Sequence, residues 1–331
     1  MKITIRSVAE EAGVSIGTVS KVINDSGKIS EKTRKKVFQA MQKLNYKPDA
    51  AAASLRGKRT KLIGLLVPDI SNPFYAGIAR SIEDRSHEVG LNVMLCSTDN
   101  NTEKEKNYLA LLTSQRVDGL VVASAFRSTV LLQETIEQGI PSVLIASEIP
   151  QLSINTVTVD DYKGGYLATS HLLDLGHKDI AIIYENVRSN EPRLAAYRDS
   201  MREAGIDVKP EYIMKTEATI LKGYECAKKL LLLEEKPTAI FACNDLLAAG
   251  VIQAAKELEL DLPRELSVVG FDNTVLSTTT APMLTTVSQP IKQMGAKVVN
   301  LLLQEMEESK GYKERLLMAP ELIVRQSTAS V

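Results

Sequence analysis

From residue 62 onward the sequence alternates between short apolar runs and longer amphipathic stretches, and this alternation restricts the possible folds more than any other feature. The apolar runs predict strands at Leu62–Val67, Asn92–Cys96, Gly119–Ala123, Ser142–Ala146, Ile180–Tyr184, Ala239–Ala242 and Leu266–Val269. The stretches between them predict helices, among them Ala76–Val89, Glu103–Gln115, Tyr162–Leu175, Leu194–Ala204 and Leu246–Leu258. Apolar strands separated by helices are typical of parallel sheets covered on both faces. Residues 62–331 exceed one doubly wound domain, so we expect two such subdomains.

Polar residues follow several of these predicted strands. In open parallel sheets, ligands bind beyond the carboxyl ends of the strands, so these residues are candidates for a binding site. They are Asp69, Asn72, Ser124, Ser147, Asn244 and Asp272. Each one alone is more often a helix cap or a loop residue, whereas the set at the strand ends indicates a polar ligand.

The N-terminal residues 4–24, TIRSVAEEAGVSIGTVSKVIN, contain two short helical patterns on either side of Gly13-Val14-Ser15. Apolar residues recur at helical spacing in both, at Ile5, Val8, Ala9 and Ala12 and then at Val19, Val22 and Ile23. Ser15 is placed to cap the second helix. Two helices joined by so short a turn predict a helix-turn-helix, whose second helix enters the DNA major groove. On the evidence of this stretch alone, an ordinary helical hairpin remains an alternative interpretation.

Charge favours the DNA-binding interpretation. The first 61 residues hold 14 lysines and arginines against five acidic residues, a formal charge of +9. Residues 62–331 hold 26 against 36, a formal charge of −10, so a near-neutral chain consists of a basic head and an acidic body. A basic module suits a polyanion, and an acidic body repels DNA from the rest of the protein.

A third helix is predicted over Glu31–Leu44, with Ser30 as its cap. Its core face is expected to consist of Val37, Phe38, Met41 and Leu44. The following segment DAAAASLRGKRT, residues 49–60, is rich in alanine but short. A helix of this length is marginal alone in water, so we expect a linker that becomes helical when something packs against it.

Composition points to an ordinary globular protein in a reducing compartment. The N-terminus has no continuous apolar region of the signal-peptide type, and no apolar run approaches the ~18 residues of a membrane span. Cys96, Cys226 and Cys243 are odd in number, widely spaced and beside apolar segments, which predicts buried free thiols. We therefore expect a cytoplasmic protein, with no metal site and no cofactor.

The chain resembles the LacI family of bacterial repressors along essentially its whole length. The motifs that carry the resemblance are TIRSVAEEAGVSIGTVSKVIN, ISEKTRKKV, YKPDAAAASLRGKRT, LIGLLVPDISNPFY, QRVDGLVV, LLDLGHKDIA, RLAAYRDSM, PTAIFACND, VVGFDN and LTTVSQP. Within the family, VLIASE, GFDNTVLST and VRQSTA look similar to catabolite control protein A and to regulators of the DegA type.

The resemblance implies an α/β architecture in three parts. A three-helix helix-turn-helix head would span residues 1–48, and a hinge helix and linker residues 49–61. An effector-binding core would follow over residues 62–331, similar to periplasmic sugar-binding proteins and built of two doubly wound parallel-sheet subdomains. The N-subdomain would comprise residues 62–160 and 291–319, and the C-subdomain residues 161–289 and 321–331.

The resemblance also implies which residues of the head contact DNA. Ile16, Gly17 and Lys21 would read bases, with Lys21 donating to a guanine and Ile16 touching a thymine methyl group. Ser15, Thr18 and Asn24 would bind phosphates. Leu55 would wedge into the minor groove beside Arg56. The family usually has arginine where this chain has Ala53, so one DNA contact of the hinge is in question.

In the core, the resemblance implies a sugar-like site in the cleft between the subdomains. Its residues would be Asn72, Phe74, Tyr75, Ser124, Ser147, Arg193, Asn244 and Asp272. Carboxylate and amide groups suit hydroxyls, and aromatic faces suit stacking. Asn244 and Asp272 are equally compatible with a structural role, and Ala146-Ser147 departs from the family pattern.

These expectations describe a transcriptional regulator, a repressor and homodimer on a pseudo-palindromic operator. Its effector would be a sugar, a sugar phosphate or a phosphocarrier protein. A sugar-binding protein without DNA function would share the core but would normally carry a signal peptide and lack the basic head. An enzyme would need a catalytic constellation, and the sequence contains no GxSxG, no GxxxxGK[ST] and no metal-spaced cluster.

Overall fold

The computed structural model describes residues 3–23, 26–46, 59–123, 126, 129–307 and 311–331. The chain divides into two compact units, Met1–Thr60 and Lys61–Val331. The predicted hinge helix lies, apart from its last residues, outside the described residues. None of the helices within the described ranges has the length and apolar character needed to cross a bilayer.

The first unit contains three helices, α1 (Ile5–Ala12), α2 (Ile16–Ile23) and α3 (Glu31–Lys43). Gly13 ends α1 in the left-handed region at φ 63°, a conformation that favours glycine. The hydroxyls of Ser15 and Ser30 accept hydrogen bonds from Thr18 N (3.1 Å) and Thr33 N (3.2 Å), so both predicted caps are present.

The core of the head is small and aliphatic. Its buried members are Val8, Ala9, Ala12, Val19, Val22, Val37 and Ala40. The prediction for Phe38 is wrong, because this side chain is 49% exposed. The buried stripe of α3 repeats from Val37 through Ala40 and Met41 to Leu44, at steps of three and four residues. Phe38 lies about 100° around the helix from Val37 and so leaves that stripe.

The second unit contains two six-stranded sheets. The N-subdomain sheet has the order β11-β5-β4-β3-β1-β2, and all its neighbours are parallel. Its strands are β1 (Leu62–Val67), β2 (Asn92–Ser97), β3 (Gly119–Val122), β4 (Ser142–Ile145), β5 (Asn155–Val159) and β11 (Arg315–Met318). Its helices are α4 (Pro73–Glu88), α5 (Thr102–Ser114), α6 (Thr129–Glu137) and α12 (Ile291–Glu307).

The C-subdomain sheet has the order β12-β10-β9-β8-β6-β7 and is parallel except that β12 runs antiparallel to β10. Its strands are β6 (Ile180–Glu185), β7 (Ile213–Thr216), β8 (Ala239–Ala242), β9 (Ser267–Asp272), β10 (Thr285–Ser288) and β12 (Glu321–Ile323). Its helices are α7 (Asp161–Asp174), α8 (Asn190–Glu203), α9 (Ile220–Leu231), α10 (Asp245–Glu257) and the short α11 (Leu276–Thr279).

The chain passes between the two sheets at three places. The first is Asp160, between β5 and α7; the second is Gln289-Pro290, between β10 and α12. The third is residues 319–320, between β11 and β12. One cavity of the core is lined by residues at or just beyond the carboxyl ends of strands from both sheets. These strands are β1, β4, β5, β6, β8, β9 and β10. This is the edge at which open parallel sheets bind ligands.

Candidate functional site

The recognition helix α2 presents the predicted base-reading residues to solvent. Ile16 is 42% exposed, and Gly17 and Lys21 are also exposed. A Cβ on Gly17 would come no closer than 3.7 Å to Ser15 Oγ, so the backbone surface is open there. An exposed isoleucine beside an exposed lysine on a capped helix is chemically suited to a base edge.

The predicted phosphate contacts Ser15 and Thr18 are already bonded to each other. Their hydroxyl oxygens lie 2.9 Å apart, and Ser15 also caps α2 through Thr18 N. This pairing orients both hydroxyls at the N-terminus of the helix, where backbone dipoles favour an anion. Asn24, Leu55, Arg56 and the cleft residue Ser124 lie outside the described residues.

The cavity in the core encloses about 520 Å³, part of it open to solvent. The N-subdomain contributes Asn72, Phe74, Tyr75, Ala146, Thr158 and Val159 to its wall. The C-subdomain contributes Asp161, Glu185, Val187, Ser189, Asn190, Arg193, Cys243, Asn244, Asp272 and Gln289. Six of the eight predicted effector residues therefore come together here.

Arg193 lies at the centre of the C-subdomain wall and is 6% exposed. Its Nη2 and Nε lie 2.6 and 2.8 Å from Asp161 Oδ1, and its Nη1 donates to Cys243 O at 2.6 Å. The guanidinium carbon sits 3.5 Å from the centroid of the Phe271 ring. Burial works to lower the pKa of Arg193, but Asp161 and Asp272 raise it above its usual value. Arg193 is therefore a permanently charged group whose positive charge Asp161 already balances.

Asp272 ends β9 and is 6% exposed, and it accepts a hydrogen bond from Gln289 Nε2 at 2.7 Å. Burial raises the pKa of Asp272 well above its usual value, against the opposing effect of Arg193. Gln289 and Asp161 both adjoin segments where the chain passes between the subdomains. Two polar residues of the cavity wall, Arg193 and Asp272, are thus bonded directly to the crossing segments.

The two predicted asparagines each cap a helix. Asn244 Oδ1 accepts from Leu247 N at 2.8 Å at the start of α10, and Asn72 Oδ1 accepts from Phe74 N at 3.0 Å at the start of α4. Asn244 therefore has the structural role, as a helix cap, that the sequence also allowed. Because both residues also line the cavity, their amide groups can contribute to binding as well.

Phe74 and Tyr75 form the aromatic wall on the N-subdomain side. Their rings are 5.1 Å apart with an interplanar angle of 68°, an edge-to-face pair. Burial, with Glu185 and Asp272 adding to it, raises the pKa of Tyr75 far above its usual value. Tyr75 is therefore a neutral hydroxyl that can donate or accept.

Sequence reasoning missed several polar residues of the wall. Asp161, Glu185, Asn190 and Gln289 all line the cavity, whereas the predicted Ser147 does not and its neighbour Ala146 does. The available signal was position along the chain, since Glu185 is the last residue of β6 and Asp161 is the second residue after β5. Burial raises the pKa of both carboxyls, and Arg193 opposes the rise in each case.

Comparison with known proteins agrees with both parts of the structure. The profile of the family "Bacterial regulatory proteins, lacI family" matches residues 4–49. The profile of the periplasmic binding protein-like domain matches residues 169–328. The fold and the cleft define a class of protein: a DNA-binding regulator with a helix-turn-helix head on a periplasmic-binding-protein-like core.

Relatives extend the match to the whole chain. The HTH-type transcriptional regulator DegA of Bacillus subtilis (strain 168) is 44% identical over 334 residues, covering 99% of each chain. Catabolite control protein A of Priestia megaterium is 37% identical over 331 residues, covering 99% of this chain and 100% of its own. This chain belongs to the LacI family and is a transcriptional regulator that binds DNA, not an enzyme.

Solved structures agree in fold. The lac repressor dimer bound to operator and the anti-inducer ONPF is 29% identical, with a TM-score of 0.89 and full coverage of both chains. A LacI family transcriptional regulator from Enterococcus faecium with bound ribose is 31% identical, with a TM-score of 0.75, covering 82% of this chain and 99% of its own. The resemblance to the family inferred from sequence motifs is confirmed.

Proposed function

We propose that this protein represses transcription as a homodimer bound to a pseudo-palindromic operator, and that a small sugar-like molecule in the cleft controls its affinity for DNA. The proposal rests on the presence, in one chain, of an exposed recognition helix and of a cavity lined by residues of two subdomains. The lac repressor supports the dimer and the operator, since it was solved as a dimer on operator DNA. The DNA-binding role supports a cytoplasmic location, which is part of the proposal.

Base reading is assigned to Ile16, Gly17 and Lys21, and phosphate binding to Ser15, Thr18 and Asn24. Leu55 and Arg56 are assigned to the minor groove. A dimer places two recognition helices on two half-sites, which accounts for a pseudo-palindromic sequence.

The cavity supports a small-molecule effector over a phosphocarrier protein. Its aromatic wall and its buried hydrogen-bonding groups suit a compact polar ligand. The ribose bound to the Enterococcus faecium regulator supports a sugar. We assign binding to Asn72, Phe74, Tyr75, Arg193, Asn244 and Asp272, and keep Ser124 and Ser147 as candidates at the adjoining strand ends.

Control of DNA affinity follows from the two bonds that link the cavity wall to the crossing segments. A ligand that competes for Arg193 or Asp272 perturbs the contacts of Asp161 and Gln289. A change in the angle between the subdomains would then alter the spacing of the two heads in a dimer. Effector and DNA would be coupled without touching each other.

Selection of binding sites from random DNA, followed by gel-shift titration of the full-length protein, tests this function. We expect a two-fold symmetric consensus and tight, salt-sensitive binding. Leu55→Ala should weaken binding to that consensus by about 1 kcal/mol or more, through loss of one base-step contact. An asymmetric consensus, or equal affinity for all sequences, would contradict the proposal.

A further inference from the structure

One part of the cavity wall carries hydrogen-bond acceptors that the described part of the protein leaves unused. Asn190 is 2% exposed, and its Nδ2 donates to the backbone oxygen of Glu185 at 3.2 Å. The Asn190 Oδ1 is buried and accepts no hydrogen bond from the described residues. Nor does any described residue donate a hydrogen bond to the Glu185 carboxylate, although Arg193 acts on it at longer range. The Glu185 carboxylate, half-buried in the cavity wall, is therefore available to accept hydrogen bonds from a ligand, whereas Asn190 Oδ1 is fully buried behind it.

The charge of the cavity is unfavourable to anions. Among the described residues that line it, three are carboxylic acids and one is a cation. The cation is Arg193, whose charge is already balanced by Asp161. The acidic groups that act on the lining residues from further out are Asp69, Glu148, Asp160, Glu217 and Asp245.

Helix N-termini normally favour anions, and those of α4, α7, α8 and α10 adjoin the cavity. In α4, α7 and α10 one backbone N–H of the first turn donates to a side-chain oxygen, of Asn72, Asp160 and Asn244 respectively. In α8 the first two backbone N–H groups donate to backbone oxygens of the preceding turn instead. The helices α7 and α10 also begin with an aspartate, Asp161 and Asp245. The positive ends of these helices are therefore occupied by the protein's own oxygens.

We infer that the effector is an unphosphorylated sugar or polyol whose hydroxyl groups donate hydrogen bonds to the Glu185 carboxylate, and that Glu185 excludes phosphorylated sugars. The inference rests on the proposed function of the cleft as the effector site. A phosphate placed beside Glu185 would face a carboxylate at short range in a partly buried site, where repulsion between like charges is weakly screened. Sites that bind phosphate instead offer arginine clusters or unoccupied helix N-termini.

Calorimetric titration of the full-length protein with matched pairs of ligands tests the inference. Suitable pairs are ribose with ribose 5-phosphate, glucose with glucose 6-phosphate and fructose with fructose 6-phosphate, together with uncharged polyols. We expect at least one unphosphorylated compound to bind, and its phosphate to bind at least tenfold more weakly. A phosphate that binds as tightly as its unphosphorylated partner would overturn the inference, and so would the failure of every unphosphorylated compound to bind.

Three variants isolate the role of Glu185. Glu185→Gln removes the charge and keeps the shape, so the preference for the unphosphorylated member of the pair should fall by about tenfold. Glu185→Asp keeps the charge and should keep the preference. Glu217→Gln removes the same charge from an exposed residue that does not line the cavity, and should change the preference little. An unchanged preference in Glu185→Gln, with normal thermal unfolding, would rule out Glu185 as the discriminating residue.

Gel-shift titration of the same variants separates this inference from the proposed function. Glu217→Gln, the variant outside the cavity, should bind the consensus operator like the parent protein in the absence of ligand. If the operator is bound specifically but a sugar phosphate is the better ligand, the inference fails while the proposed function stands. If no sequence is bound specifically, the proposed function fails whichever ligand the cleft prefers.

Discussion

Asp161 and Arg193 form a buried ion pair across the C-subdomain wall of the cavity, with Arg193 Nη2 2.6 Å from Asp161 Oδ1. The side chains are 14% and 7% exposed, respectively. Asp161 begins the first helix after the chain crosses between the subdomains, and Arg193 lies on the next helix along the chain. The pair therefore links the start of α7, directly after a crossing segment, to the C-subdomain wall of the cavity.

Asp161→Asn should destabilise the core by about 3 kcal/mol, because it leaves the Arg193 charge buried without its counter-ion. Urea unfolding followed by circular dichroism measures the change. Asp84→Asn is the matched control, since it breaks an exposed pair with Arg80 at 2.7 Å and should cost no more than about 0.5 kcal/mol. Equal effects of the two substitutions would show that the buried pair contributes nothing beyond a surface pair.

Two glycines in similar sequence contexts, Gly77 and Gly250, should respond in opposite ways to alanine. A Cβ on Gly250 would lie 2.2 Å from Ile220 O and 2.5 Å from Tyr224 N, so helices α9 and α10 could not pack as closely. Gly250→Ala should therefore destabilise the core by about 2 kcal/mol or more. A Cβ on Gly77 would meet nothing closer than 3.7 Å, so Gly77→Ala should stabilise helix α4 by up to about 1 kcal/mol. Thermal unfolding of both variants measures whether each substitution lowers or raises the stability of the core.

Asp245 should make the core less stable as the pH rises through the range from about 4 to about 6. Burial raises its pKa to about 6, against three opposing hydrogen bonds from Thr274 and Thr286. The folded state therefore holds this proton more tightly than the unfolded state, and that advantage is lost once the group ionises in both states.

Unfolding free energies of the parent and of Asp245→Asn, compared at pH 4.5 and pH 7, isolate the effect. The parent should lose stability relative to the variant on going to pH 7, and a difference that is constant with pH would contradict the prediction. Asp207→Asn, at an exposed position, controls for removal of one charge.

Lys21→Ala should relax the base preference at one position in each half-site. A lysine that donates to a guanine contributes about 1–3 kcal/mol of discrimination at that base pair. Binding to operators mutated at each position in turn, measured by fluorescence anisotropy, locates the effect. Lys43→Ala serves as a control, because Lys43 lies on α3 and pairs with Glu11 at 2.6 Å. Uniform weakening at all sequences would make Lys21 a phosphate contact instead.

Sequence patterning found the apolar central strands but not the threonine-rich ones. Strands β5 (NTVTV) and β10 (TTVS) are largely buried, yet neither contains a continuous apolar run. Threonine suits a strand because it is β-branched, and its hydroxyl can be buried when it finds a partner. Thr286 donates to Asp245 at 2.7 Å, a residue 41 positions away, so the partner is invisible to a local pattern.

The sequence by itself determined the class of the protein. Helical spacing around Gly13, the +9 charge of the first 61 residues and the strand–helix alternation beyond them are all local properties, and they predicted a DNA-binding head on a two-sheet core. The motifs also pointed to Arg193, Asn244 and Asp272, because these residues lie within RLAAYRDSM, PTAIFACND and VVGFDN. These features can be read from the sequence because they depend on residues close together along the chain.

Only the tertiary structure decided what the cleft can bind. Glu185, Asp161 and Asp272 come from three different elements, and the tertiary fold gathers these carboxyl groups around Arg193, whose charge Asp161 already balances. Phe38 is exposed because packing selects one face of α3, and that face cannot be read from hydrophobicity alone. Burial, pairing and charge at a site are properties of neighbours in space, and distant parts of the chain supply those neighbours.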